Sequence, residues 1–478
     1  MNKISNLIRK MIESGMILVI SNFINQGIVF LSAPLFSRMM STSDFGFFSS
    51  FVSLTTIIQI IMTLNIHSSI YNAKIEYDKE SLKKYLKHII CFIAIFGSIF
   101  SILLLLLSNI IMKIFQLNFK AIVIACIYTL LYCLYMTFNT YLIANKDDSK
   151  SIVLASILTF VYSACNVLFS IMFVLNMEEE KYFGRCYGMI AGVIIAILVA
   201  LPYCRKIFKN VSLEFSTLKK DILFGLEISV PLIFHSLSAI ILSKMDQLML
   251  LNLISPSKAG IYAYGNNFSH VFSTICQSFN TVYLPWYMTH KKNNEEIVIV
   301  NKSNAYRKFI FVIFSCFNLI IPEIVYLLSD STYYSAIYSI QIIVIGMYFN
   351  YLYYFIVNFE TYYKKTKYIA IGTVLSGISN IILNLLLIPK FEDIGAAFAT
   401  MMSLILLFVF HAVIVKLFIK EYFEIGIKKL VISGMFAIIL GLFCITIREY
   451  VIIRFSLVIF IVSFFIYEYI FKFKKGRI

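Results

Sequence analysis

The chain has 478 residues, of which 60% are hydrophobic and only 14% charged, and its mean hydropathy is +0.86. No soluble domain of this length tolerates so much apolar surface, so the composition predicts a polytopic membrane protein and excludes an ordinary soluble enzyme. A formal charge of +16 would suit nucleic acid, but the basic residues sort by side of the membrane.

At the start, Asn2, Lys3, Arg9 and Lys10 look like the basic opening of a signal peptide. The apolar run that follows is too long for one and no small-residue cleavage site closes it, so it reads as a retained first span. Further runs near 20 residues each match the helix length that crosses about 30 Å of hydrocarbon, whereas barrel strands would show alternation over about ten residues. The expected architecture is all-α, with spans at about 15–37, 44–66, 86–112, 120–144, 151–176, 184–204, 222–253, 257–284, 306–328, 333–358, 367–388, 394–417, 428–447 and 451–471, fourteen transmembrane helices in all. With both ends on one side, that side carries 31 Lys and Arg against 9 on the other. This bias predicts cytoplasmic N and C termini, so the charge is an orientation signal and nucleic acid is not an expected partner. The connecting loops run to about 20 residues at most, too short for a separate catalytic domain.

An internal repeat is visible. Ser41 to Phe48 corresponds to Ser255 to Tyr262, Asn166 to Asn380, Ser170 to Asn384 and Gly184 to Gly395, at offsets of 214 or 211 residues. A unit of six spans is even in number, so the two copies run parallel, related by an axis along the membrane normal. The expected lobes are residues 1–210 (spans 1–6) and 211–420 (spans 7–12) around a central cavity, with two additional spans and a basic tail over 421–478. In the repeated turns, Ser41 with Asp44 reads as a capping box, and Ser255 with Pro256 as an N-cap followed by proline.

Two spans carry polar groups at membrane depth, where ionisable side chains are costly and normally face protein or water. Span 7 contains Glu227, His235, Lys244 and Asp246. At 100° per residue, Glu227, Pro231, His235, Ser238 and Asp246 share one broad face, while Lys244 lies about 200° from Asp246 and is no intrahelical partner for it. Asp246 either lines or gates a cavity or bonds a neighbouring helix. Lys244 is either a cavity cation that attracts phosphate or a snorkelling or paired group. His235 reads more readily as an interior histidine than as a proton carrier, and Glu227 as either an interfacial or an ion-coupling residue. In span 1, Asn22, Asn25 and Gln26 fall on one face at i, i+3 and i+4, an amide stripe suited to sugar hydroxyls or to bonds between helices. Arg38 sits at the outer end of that span. Glu360 precedes Lys364 by four residues, a favourable helix pair, and is otherwise a third candidate for ion coupling beside Glu227 and Asp246. The many tyrosines around span 10, with Trp286 and Tyr287, read mainly as interface belts. The nine cysteines are scattered without C-x-x-C spacing, which implies neither a metal nor a disulfide framework. There is no Walker lysine motif, G-x-S-x-G or H-E-x-x-H, so no cofactor and no catalytic centre is expected.

Several stretches together carry a family resemblance: Pro34 to Arg38 running into Ser41 to Gly46, Phe224 to Pro231, Ser243 to Asp246, Gly260 to Tyr262, Lys365 to Lys367, Asn380, Asn384, Ile388 to Phe391 and Gly395 to Thr400. Over about residues 10–417 the chain resembles the polysaccharide and O-antigen repeat-unit flippases of the multidrug/oligosaccharidyl-lipid/polysaccharide exporter superfamily. The resemblance implies two six-helix lobes led by spans 1 and 7. It also implies a substrate of undecaprenyl-diphosphate-linked oligosaccharide moved across the bacterial cytoplasmic membrane for O-antigen or capsule, and a polymerase and chain-length machinery as later partners. Arg38 and Asp246 stand where the family usually has those residue types, whereas Gln247 replaces a frequent arginine and Asn65 a usual glycine. Alternating access coupled to a proton or sodium gradient would follow. Drug or cation extrusion on the same fold is the second reading, and a polysaccharide polymerase or membrane glycosyltransferase the third.

Overall fold

The computed structural model describes residues 16–145, 148–209, 211–212, 214–419 and 422–474, and every regular element among them is helical. Residues 1–15, with the basic opening, lie outside this set. In chain order the helices are α1 (Met16–Ser37), α2 (Thr42–Thr63), the short α3 (Ile70–Glu76), α4 (Lys79–Leu106), α5 (Ser108–Phe115), α6 (Phe119–Ala144), α7 (Ser149–Leu175), α8 (Tyr182–Phe208) and α9 (Phe215–Leu253). They continue with α10 (Pro256–Lys292), α11 (Glu296–Leu328), α12 (Ala336–Tyr362), α13 (Thr366–Leu417), α14 (Ile427–Thr446) and α15 (Val451–Lys474). Ten of them are long and apolar enough to cross a membrane, by length and composition, among the described residues.

Local chemistry sets many of the boundaries. Ser41 caps α2 by accepting the Asp44 amide at 3.1 Å while its hydroxyl donates to the Asp44 carboxylate at 2.6 Å. Asn118 caps α6 in the same way through the Ala121 amide, and Ser255 caps α10 with Pro256 at the first position. One expected span is interrupted: the third divides at Leu107 (φ −91°, ψ 11°) into α4 and α5. The run 366–417 is helical except at Glu392 (φ 51°, ψ −129°), which divides α13 into two arms between the expected spans 367–388 and 394–417. Helices α10 and α11 extend past the expected spans to Lys292 and from Glu296, because backbone bonding does not stop where the hydrocarbon does.

The chain forms two compact units, Met1–Asn252 and Leu253–Ile478. Helix α9, which the repeat puts at the head of the second lobe, bonds within the first unit, through Asp221 to His88 and Tyr77 and through Gln247 to Ser49. The repeat glycines do the same work in each unit. A Cβ on Gly184 would come within 2.8 Å of the Val174 amide nitrogen, and one on Gly395 would collide with the Leu387 carbonyl, so only glycine allows these backbones so close. Aromatic side chains fill much of the second unit. Tyr333, Tyr348, Tyr351 and Tyr353 are buried rather than belted at an interface, and Tyr348 packs tilted against Phe314 and edge to face against Phe311. Their rings supply apolar volume, and a buried hydroxyl such as that of Tyr348 is met by Ser433 at 2.7 Å.

Candidate functional site

In the first unit, the expected polar residues of α1 and α9 separate by burial and by partner. Asn25 accepts a hydrogen bond from the Ser163 hydroxyl of α7, the helix-bonding alternative for that amide. Gln26 is exposed on α1, as are Arg38 just past its end and Glu227 on α9. Asp246 and Gln247 are buried, and Gln247 accepts from Ser49 of α2. Lys244, two residues before Asp246, is half-buried and makes no hydrogen bond or ion pair among the described residues. The side chains of Asn22 and His235 lie outside the described residues.

The start of α9 is held by a cluster that the expected site did not include. His88 of α4 is fully buried with its Nδ1 2.6 Å from Asp221 Oδ2, and the Tyr77 hydroxyl donates to Asp221 Oδ1 at 3.3 Å. Tyr77, Tyr85 and Phe224 pack edge to face or tilted around it at 5.4–5.7 Å between ring centres. A little further along α9, Ser236 accepts from Asn65, which sits in the left-handed region (φ 54°). That conformation suits glycine, and asparagine is among the few other residues that take it readily.

In the second unit Glu360 is not paired with Lys364. Helix α12 ends at Tyr362 and Lys364 turns into the left-handed region (φ 57°), so the four-residue helical spacing is broken before the two side chains can meet. Glu360 instead faces His411 of α13, whose Nδ1 is 2.8 Å from Oε1 and 2.9 Å from Oε2, with both side chains fully buried. Three more buried or half-buried charge pairs surround the unit. Lys291 meets Glu424, Arg454 meets both Glu323 oxygens and the Leu319 carbonyl, and Lys258 bridges Glu392 at 2.7 Å and Asp393 at 3.1 Å. Asp393 also accepts from Ser339 at 3.1 Å. The signal for His411 was present in the sequence, a lone titratable group in the run Leu406 to Val415. For Glu424 and Asp221, which lie near loops, composition offered no such signal.

These arrangements contain no nucleophile with an activating base and, among the described residues, no group of three metal-ligating side chains. What they offer is polar and ionisable groups inside apolar helices, each met by a neighbouring helix or loop where a partner is found.

The family model described as "Polysaccharide biosynthesis protein" matches residues 11–291. Two proteins of Haemophilus influenzae are similar to this chain: "Lsg locus putative protein 1", 20% identical over 374 residues covering 77% of this chain and 89% of its own, and an uncharacterized membrane protein, 20% identical over 369 residues covering 77% and 87%. Among solved structures, the lipid II flippase MurJ in an inward closed conformation superposes with a TM-score of 0.69 at 17% identity, covering 97% of this chain and all of its own. An inward-facing multidrug resistance MATE transporter of the MOP superfamily gives 0.62 at 12% identity, covering 82% and 94%. The fold is therefore that of these multi-pass membrane transporters, and by the family match over more than half its length the chain belongs to the polysaccharide biosynthesis protein family.

Proposed function

We propose that this MOP-type transporter flips undecaprenyl-diphosphate-linked oligosaccharide repeat units across the bacterial cytoplasmic membrane for surface polysaccharide synthesis, by alternating access of the two expected lobes. The observation that carries the reading is the polysaccharide-biosynthesis family match over residues 11–291. Moving a diphosphate and several sugars past hydrocarbon requires a hydrated, partly cationic path for the head while the prenyl tail stays in lipid. Lys244, without an ion-pair partner among the described residues, supplies such a cation, with Asp246, Arg38, Gln26 and Asn25 as the other polar groups of the path. Asn22 and His235 complete the set from sequence. An unpaired lysine also disfavours the cationic substrates of drug extrusion.

Deleting the gene abolishes surface polysaccharide while lipid-linked units accumulate facing the cytoplasm. If the units reach the outer leaflet and only chain length changes, polymerisation replaces flipping as the function. Surface glycan left intact in cells that have become drug-sensitive assigns extrusion instead. Lys244→Ala and Asp246→Ala lower export, as measured by surface glycan, at unchanged protein level.

A further inference from the structure

Helices α10, α11 and α12 of the second unit enclose a pocket of about 210 Å³, its open mouth included, walled by six aromatic side chains and Asn280. The rings are crossed rather than stacked. Phe279 meets Tyr306 edge to face at 5.7 Å, and Phe355 meets Tyr351 and Tyr283 edge to face at 5.4 and 5.3 Å between centres. Crossed rings cannot close flat on one another, and the gap is what their geometry leaves. Its volume lies below the roughly 300–1,000 Å³ of pockets that enclose drug-sized ligands, so it admits one ring and not an oligosaccharide.

The polar atoms of the wall divide into spent and unspent. The Tyr283 hydroxyl is paired with Ser303 at 2.7 Å, and that of Tyr354 accepts from Asn350 at 3.3 Å. Tyr351 is only 3% exposed, yet its hydroxyl has no hydrogen-bond partner among the described residues, a costly state for a buried polar group. Asn280 accepts from Asn358 at 2.8 Å, which leaves its own N–H groups without an acceptor among the described residues. The rim is polar as well. Asn280 and Tyr354 are half-buried, while Gln277, beside Tyr354, and Thr281, next to Asn280, are exposed. Exposed amides and hydroxyls within an expected span face water rather than lipid.

This chemistry sorts the candidate ligands. Aromatic boxes also take quaternary ammonium groups, but here no carboxylate lines the wall, and the Arg307 guanidinium, without an ion pair among the described residues, places positive charge near Tyr351. A prenyl or acyl chain would pack on the rings and leave the Tyr351 hydroxyl and the Asn280 amide unmet. A sugar ring has an apolar C–H face for the aromatic walls and hydroxyls at its edge for the two polar groups.

We propose that this pocket is a carbohydrate subsite, holding one sugar ring against the aromatic wall with Tyr351 and Asn280 bonding its hydroxyls. The source of that sugar, a lipid-linked repeat unit, rests on the flippase reading; the existence of the subsite does not. The chain has a single tryptophan, Trp286, whose ring lies 5.6 Å from that of Tyr283 in the pocket wall, so its fluorescence reports on the site. The full chain in lipid nanodiscs is titrated with N-acetylglucosamine, galactose, rhamnose and glucuronic acid, each matched for osmolarity with glycerol, and separately with farnesol as an apolar chain. At least one sugar changes the Trp286 emission saturably and farnesol does not. Tyr351→Phe and Asn280→Ala each raise the half-saturating concentration about five- to tenfold, the worth of one hydrogen bond. Tyr351→Phe removes only a hydroxyl without a partner, so it folds even if Asn280→Ala does not. A response to farnesol alone, no response to any of the four sugars, or a sugar response unaltered in Tyr351→Phe overturns the proposal. A sugar response in a protein whose deletion leaves surface glycan intact keeps the subsite and removes the flippase reading; lost surface glycan with no sugar response removes only the subsite.

Discussion

Each unit holds one fully buried histidine whose Nδ1 meets a carboxylate and whose Nε2 has no partner among the described residues, yet the two pairs are not equivalent. In the first unit, Asp221 keeps 11% of its side chain exposed and receives a second donor from Tyr77, so losing His88 still leaves a partly solvated carboxylate with a hydrogen bond. In the second unit, Glu360 has no exposure and, among the described residues, no second side-chain donor. The difference is the count of compensating donors. Where two donors and water share a carboxylate the pair is a latch with a reserve, here fastening the start of α9 to α4; where one imidazole carries it alone, the carboxylate depends wholly on that partner.

The repeated outer turns differ in a similar way. In the first unit Asp44 accepts the Tyr182 amide at 3.3 Å, a charge placed on the amino end of α8. In the second, Lys258 stands at the repeat position of Asp44 and grips Glu392 and Asp393 instead. The same clasp between hairpins is built with opposite polarity, which explains how the repeat persists in backbone while its letters change.

The largest expected effect comes from stranding Glu360. His411→Ala leaves a buried carboxylate without its donor and destabilises by about 3–5 kcal/mol, whereas His88→Ala leaves Asp221 with Tyr77 and some water, at about 1–3 kcal/mol. Thermal unfolding of the purified protein measures both, and equal losses would break the distinction between a carboxylate with a second donor and one without. Gly372→Ala follows at about 1–3 kcal/mol from overpacking against His411. Its cost is smaller in a His411→Ser background, and strict additivity in that double-mutant cycle would show that the two residues do not press on each other. Tyr77→Phe should cost only about 0.5–1.5 kcal/mol, the worth of one hydrogen bond, and should make a further His88→Ala change more damaging than it is alone.

The smallest effect concerns the loop before α9. The Lys84 ammonium, bonded at 2.8 Å, and the Ser212 hydroxyl hold the Glu214 carboxyl below the ordinary carboxylate range. A carboxyl held low in the folded state adds stability above its unfolded pKa, near 4.3, and loses it as pH falls through the folded value. Glu214→Gln therefore lowers unfolding temperature slightly at neutral pH, and the difference from wild type closes in acid and in high salt. A difference that grows on acidification would mean that Lys84 does not hold this carboxylate.

Much of the fold is legible in the sequence. Apolar runs of spanning length, Ser41 with Asp44, and Ser255 with Pro256 each specify a local structure through contacts a few residues apart, and the structure carries helices and caps at those places. The Glu360 and Lys364 pairing reads equally well by the same local rule and does not form, because the end of α12 at Tyr362 intervenes. Tyr348, Tyr351 and Tyr353 of α12 have the composition of an interface belt and the location of a core, since composition reports how amphipathic a ring is and not what surrounds it.

By itself the sequence determined that the chain is an all-helical membrane protein with repeated hairpin turns, since spanning length, helix capping and hydrocarbon thickness are properties of short segments. Only the tertiary structure decided which charges meet. Glu360 finds His411 across 51 residues, Asp221 finds His88 across 133, and Arg454 finds Glu323 across 131. The physical reason is that a buried charge must be compensated by whichever helix packs beside it, and packing brings together residues far apart along the chain.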